Sequence, residues 1–112
     1  MKTLSYYAEE IQKRASAPSG LSDLLIEMSA DFGTANNNKI ILSLKKAEFF
    51  INNKGLETEK PLSDAAVNSK FLMTPDGIQF KKNEIYVKAL TSLMSNIKAA
   101  LRSLENEARA QY

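Results

Sequence analysis

The last third of the chain carries a stripe of apolar residues, Ile85, Ala89, Leu93, Ile97, Leu101, Leu104 and Ala108, that recurs at intervals of three or four. Such spacing gathers residues on one face of an α-helix, and Tyr86, Leu90 and Met94 widen that face. Thr74-Pro75-Asp76-Gly77 stands ahead of it. Threonine at the cap, proline at the first helical position and aspartate beside it favour helix initiation, with a β-turn as the competing reading. A helix from about Pro75 to Ala108 is roughly 50 Å long at 1.5 Å per residue, which exceeds the width of a compact domain of this size. Part of its apolar face then stays uncovered unless another subunit packs there. The sequence therefore predicts self-association through Ile85, Leu93, Ile97, Leu101 and Leu104. The alternative is a monomeric bundle in which the other helices fold back along its full length.

Shorter helices are expected upstream. Thr3 or Ser5 can cap a first helix carrying Leu4, Tyr7, Ala8, Ile11 and Ala15, which Ala17-Pro18-Ser19-Gly20 ends. Ser19 or Ser22 can cap a second, with Leu21, Leu24, Leu25, Met28 and Phe32, and Gly33 is expected to close it. After Thr34 to Asn38, a polar connector or a weakly formed first turn, a third helix should bury Ile40, Ile41, Leu44, Ala47, Phe50 and Ile51 on one broad face and end at Asn52-Asn53-Lys54-Gly55. Leu56 to Pro61 reads as a charged link, and Ser63 as the cap of a short helix from Asp64 to about Leu72. The expected fold is all-α: one domain over residues 1–112, with short N-terminal helices packed with a long C-terminal amphipathic helix.

The residue inventory excludes much chemistry. With no histidine and no cysteine among 112 residues, the commonest general base, the Ser-His-Asp and Cys-His arrangements, histidine and thiolate metal sites and disulfides are all removed. The four glycines, at 20, 33, 55 and 77, stand alone, so neither a phosphate-cradling loop nor a dinucleotide fingerprint can be built. Glu57-Thr58-Glu59-Lys60 and Pro75-Asp76 hold fragments of a metal-dependent nuclease site, but the proline-aspartate pair follows the Glu-x-Lys element instead of preceding it. A non-enzymatic protein without cofactor or metal is expected. No apolar run approaches the roughly 18 to 20 residues that span a bilayer, and the first residues lack the apolar stretch of a secretory signal, so the expected location is the cytoplasm.

Charge is distributed unevenly. Residues 1–32 sum to −2, residues 39–60 to +2 and residues 68–102 to +4, an acidic head followed by a basic body that suits a polyanionic partner. Within the body, Lys45 and Phe49 are four apart on a helix, as are Lys46 and Phe50, whereas adjacent Phe49 and Phe50 cannot both join the buried stripe. Phe50 continues the spacing from Ile40, Leu44 and Ala47, which makes Phe49 the outlier. An exposed ring beside ammonium groups is what non-specific single-strand binding uses, while two phenylalanines on a helix also suit a core or a subunit interface. Lys45, Lys46, Phe49, Lys54, Lys81 and Lys82 are accordingly the candidate nucleic-acid contacts.

The order Lys45-Lys46-Ala47-Glu48-Phe49-Phe50 followed by Lys54-Gly55, then a charged linker, a short helix, a loop at Leu72 to Gly77 and a long terminal helix, resembles the UvsY recombination mediators of T-even and related phages over about residues 39–108. The resemblance implies a ring-like oligomer that binds single-stranded DNA and helps load a RecA-like recombinase against a single-strand-binding protein. Lys45 and Lys46 would then contact phosphate, the terminal helix would assemble the ring, and a phage-encoded chain would work in the cytoplasm of a bacterial host. The second expectation, which needs only the amphipathic stripes, is a helical structural or adaptor protein acting through protein–protein contacts.

Overall fold

The computed structural model describes residues 1–53 and 62–110. Those residues fold as four helices, α1 (Leu4–Lys13), α2 (Pro18–Asn53), α3 (Asp64–Leu72) and α4 (Pro75–Ala110), which makes the fold all-α. They divide into two compact units, one of Met1–Ala35 with the chain from Tyr86 onward, the other of Asn36–Ile85. Both α2 and α4 contribute to each unit. Among the described residues no helix is long and apolar enough to cross a membrane.

Helix starts follow local chemistry. The Thr3 hydroxyl accepts from the Tyr6 amide at 3.1 Å, and the Ser63 hydroxyl accepts from the Ala66 amide at 3.2 Å, each satisfying a donor that the first helical turn leaves free. Proline needs no amide partner at the first helical position, so Pro18 opens α2 where the sequence reading let Pro18 and Gly20 end a helix. Gly33 does not close that helix. It lies inside α2, with nothing within 4 Å of the place a Cβ would take. A glycine costs an α-helix interior only about 1 kcal/mol, too little to stop propagation. Thr34 reinforces the helix by donating its hydroxyl to the Ala30 carbonyl at 3.3 Å. The second and third expected helices are therefore one helix of 36 residues.

In the first unit, Tyr7 of α1, Leu21, Leu24 and Met28 of α2, and Leu90 and Ile97 of α4 form a fully buried cluster. Leu93, Leu101 and Leu104 pack against it, half-buried. In this unit the apolar stripe of α4 packs on the chain's own α1 and α2, with Ile97 enclosed and Leu93, Leu101 and Leu104 about half covered. The cluster also accommodates polar groups. The Tyr7 hydroxyl donates to the Asp31 carboxylate, Asp31 accepts from the Lys2 backbone N–H at 2.8 Å, and the Tyr86 hydroxyl donates to the Lys2 carbonyl at 2.8 Å. Burial works to raise the Asp31 carboxyl, but the hydrogen bonds from Tyr7 and Lys2 outweigh it and hold the group below the ordinary aspartate value. Burial, and then the Asp31 carboxylate, push the Tyr7 hydroxyl far above the ordinary tyrosine value; Tyr86 rises from the same two causes.

The second unit is built around Phe71 and Val67 of α3, both fully buried. Thr74 turns the chain from α3 into α4: its hydroxyl donates to the Phe71 carbonyl at 2.6 Å and accepts from the Gly77 amide at 3.0 Å. The helix-start reading of Thr74-Pro75-Asp76-Gly77 holds, and the turn is so tight that a Cβ on Gly77 would sit 1.8 Å from the Phe71 carbonyl oxygen.

Alanine scanning of the glycines should therefore give opposite signs. Gly77→Ala forces backbone apart and is expected to lose about 1 to 3 kcal/mol, whereas Gly33→Ala meets nothing and should gain about 0.5 to 1 kcal/mol, both read by urea denaturation. A carboxyl whose pKa falls on folding stabilises above its unfolded value and loses that contribution as pH drops through the folded one, while tyrosines raised on folding stabilise below their unfolded value and lose theirs as pH climbs. Stability should accordingly be flat from roughly pH 5 to 9 and fall on both sides, and Asp31→Asn should make the acid limb shallower in thermal melts across pH.

Candidate functional site

The Lys/Phe segment singled out in the sequence lies in the second unit, on the last turns of α2. Its orientation follows from aromatic packing. The Phe49 ring lies 5.4 Å from that of Phe71, centroid to centroid, and Phe71 meets Phe80 of α4 edge-on at 5.9 Å. Offset and edge-to-face pairs at these separations add roughly 0.5 to 1.5 kcal/mol each beyond the area they bury. Phe49, read from the sequence as the outward aromatic, is thus half-buried against α3. It shares the inward side of α2 with Leu42 and Lys46, which are also half-buried.

At 3.6 residues per turn, that inward side is about half a turn from the stripe Ile40, Leu44, Ala47 and Ile51. Of the stripe expected to be buried, Phe50 is half-buried but the aliphatic members are left in solvent: Ile40 is 60%, Leu44 66% and Ile51 70% exposed, and Ile41 beside them 52%. Aliphatic periodicity alone favours this stripe as the core face. It is overridden because α3 presents the Phe71 ring, against which Phe49 packs, and α4 presents Phe80, over which the Lys46 ammonium lies.

The lysines are engaged by neighbouring groups. Lys45 Nζ lies 3.4 Å from Asp76 Oδ1, with both side chains about half exposed. The Lys46 ammonium sits 4.9 Å from the Phe80 ring centroid and 5.9 Å from that of Phe50, within cation–π range. Lys81 pairs with Glu84 at 3.5 Å, and Lys82 is exposed. Lys54 and the link read over Leu56 to Pro61 lie outside the described residues. Of the expected interface residues, Ile85 is 55% exposed, Ile97 is fully buried, and Leu93, Leu101 and Leu104 belong to the chain's own packing.

Lys45 and Phe49 do come together in one feature, an open cleft of about 320 Å³ lined also by Glu48, Asn52, Asn53, Phe71, Thr74 and Asp76. Sequence reasoning missed the acidic members. Asp76 reads as a helix-start residue and Glu48 only as the acidic member of the Lys45 to Phe50 order, and the α3–α4 turn brings Asp76 to α2. Among the described residues no three carboxylate, thiol or imidazole side chains gather in a way that could hold a metal ion. Neither a protein-family model, nor a curated protein, nor a solved structure matches the chain.

Proposed function

We propose that this chain is a non-enzymatic helical structural or adaptor protein that acts through protein–protein contacts, and that its first contact is with a second copy of itself along α2. The observation that carries this reading is the exposure of Ile40, Ile41, Leu44 and Ile51, each more than half open to solvent on one side of a helix. Full burial of an isoleucine or leucine is worth roughly 1.5 to 3 kcal/mol, so these four leave about 4 to 7 kcal/mol unrealised per chain. Two chains together gain about 8 to 14 kcal/mol, which leaves a surplus over the lower part of the 4 to 15 kcal/mol range that association costs.

The stripe is also self-complementary. Its intervals, four, three and four, read the same from both ends, so two antiparallel copies set Ile40 of one against Ile51 of the other and Leu44 against Ala47. Large against small lets the helices approach closely, as interdigitated helix packing requires. Sedimentation at about 100 µM should give a mass of two chains or more. Leu44→Asp should reduce it to one chain without changing the helical circular dichroism, because Leu44 touches no core in its own chain. A wild-type monomer at that concentration would sink the reading.

Single-stranded nucleic acid bound by an accessory protein of recombination is the second reading, supported by the UvsY-like order of residues and by the exposure of Lys39, Lys45, Lys70, Lys81 and Lys82 in the second unit. Their ion pairs to Asp76 and Glu84 are solvent-screened and worth about 0 to 1 kcal/mol, which a phosphate can displace. A recombinase partner belongs to this reading alone. Oligothymidylate titration separates the two. Contacts between proteins alone leave the oligonucleotide unbound at about 50 mM salt. The single-strand reading requires affinity that falls with log salt at about 0.7 per phosphate contact, and a flatter slope in the Lys45→Ala, Lys46→Ala double variant.

A further inference from the structure

The cleft beside Phe49 has a chemistry of its own, independent of the α2 stripe and of the reading built on it. Its lining combines the half-buried Phe49 ring, which packs on the enclosed Phe71, with the acceptor groups of Glu48, Asn52, Asn53 and Asp76. Lys45 is neutralised by Asp76 Oδ1, which leaves Asp76 Oδ2 open, and Glu48 carries no ion pair among the described residues. Asn53 donates its Nδ2 to the Phe49 carbonyl at 2.9 Å, so its Oδ1 is left to accept. Counting Lys45, Glu48 and Asp76, the lining has a formal charge of −1. Phosphate meets two carboxylates there against a single lysine.

A flat cation that stacks on a ring while its edge donates several hydrogen bonds matches this arrangement. Guanidinium has that form: a planar, weakly hydrated charge with five N–H donors, suited to carboxylates in pairs and to aromatic faces. At about 320 Å³ the cleft is at the lower end of the range for ligand pockets, room for one side chain rather than an extended ligand. We infer that the cleft is a guanidinium site, which takes an arginine side chain from a basic peptide segment of a partner protein. Glu48 and Asp76 receive the N–H groups and Phe49 supplies the stacking face. Lysine fits less well, because its ammonium is a compact, strongly hydrated point charge with no flat face to lay on the ring and no fixed fork of donors.

The test is an amide-resolved NMR titration of the whole chain with three acetylated, amidated tripeptides, Gly-Arg-Gly, Gly-Lys-Gly and Gly-citrulline-Gly, and with free arginine. Saturable shifts confined to Lys45–Asn53 and Phe71–Gly77 are expected, at least threefold tighter for the arginine peptide than for the other two. Free arginine should bind more weakly than the peptide, and tighter binding of the free amino acid would overturn the peptide source. Glu48→Gln, on an exposed side chain, should weaken the arginine peptide at least threefold. Phe49→Leu should remove its advantage over lysine while the helical spectrum persists. Equal response to arginine and lysine peptides, no saturable shift, or the same residues moving only with oligothymidylate would each overturn the assignment, the last in favour of a nucleobase.

Discussion

Burial of the Phe71 ring sets the direction in which the second half of α2 faces. Phe71 is fully enclosed and packs against both Phe49 and Phe80. Because Phe49 is the α2 residue that reaches it, the helix turns Leu42, Lys46 and Phe49 inward, and with 3.6 residues per turn the opposite side must look outward. That opposite side carries Ile40, Leu44 and Ile51. The placement of Lys45 is a second consequence, since it sits one turn before Phe49 and meets Asp76 where α4 begins. The exposed stripe, the cleft and the spent charge of Lys45 are therefore one fact seen from three sides.

The turn between α3 and α4 makes this arrangement possible. Thr74 bonds backward to Phe71 and forward to Gly77, and the lack of a side chain at Gly77 allows the two backbones to come together. A wider turn would carry Asp76 and Phe80 away from the ring they frame. Polar capping and aromatic burial thus reinforce each other at one point: the cap fixes where α4 starts, and its start fixes which α4 side chains face Phe71.

Helix starts at Leu4, Asp64 and Pro75 were legible in the sequence because capping is local, needing only a short oxygen-bearing side chain and a free amide three residues on. The run from Leu93 to Leu104 was legible as an apolar face, but the residues of α1 and α2 that it packs against were not. Reading Gly33 as a stop leaves no upstream helix to match α4, when α2 and α4 have 36 residues each. The facing of α2 was not legible, because two apolar stripes compete on that helix. Summed hydrophobicity favours the aliphatic one, and the winner is decided by a phenylalanine 22 positions beyond Phe49. That Lys45 and Phe49 share a helix side was legible from their spacing of four, while the acidic side of the cleft, Glu48 and Asp76, depended on a tertiary contact.

Basic residues near aromatics invite a nucleic-acid reading, and this chain illustrates how the same residues serve the fold. Lys46 is half-buried, its stem on the inward side of α2 and its ammonium over the Phe80 ring, where the ring's negative face partly replaces lost water. Lys45 answers the carboxylate of Asp76, and Lys81 that of Glu84. A run of like charge along a sequence is thus dispersed by folding among rings and carboxylates, and the local field depends on what each ammonium meets. In the second unit the least satisfied surface is aliphatic, and water tolerates a lysine there far better than it tolerates Leu44. That imbalance favours a partner that covers apolar surface over one that neutralises charge.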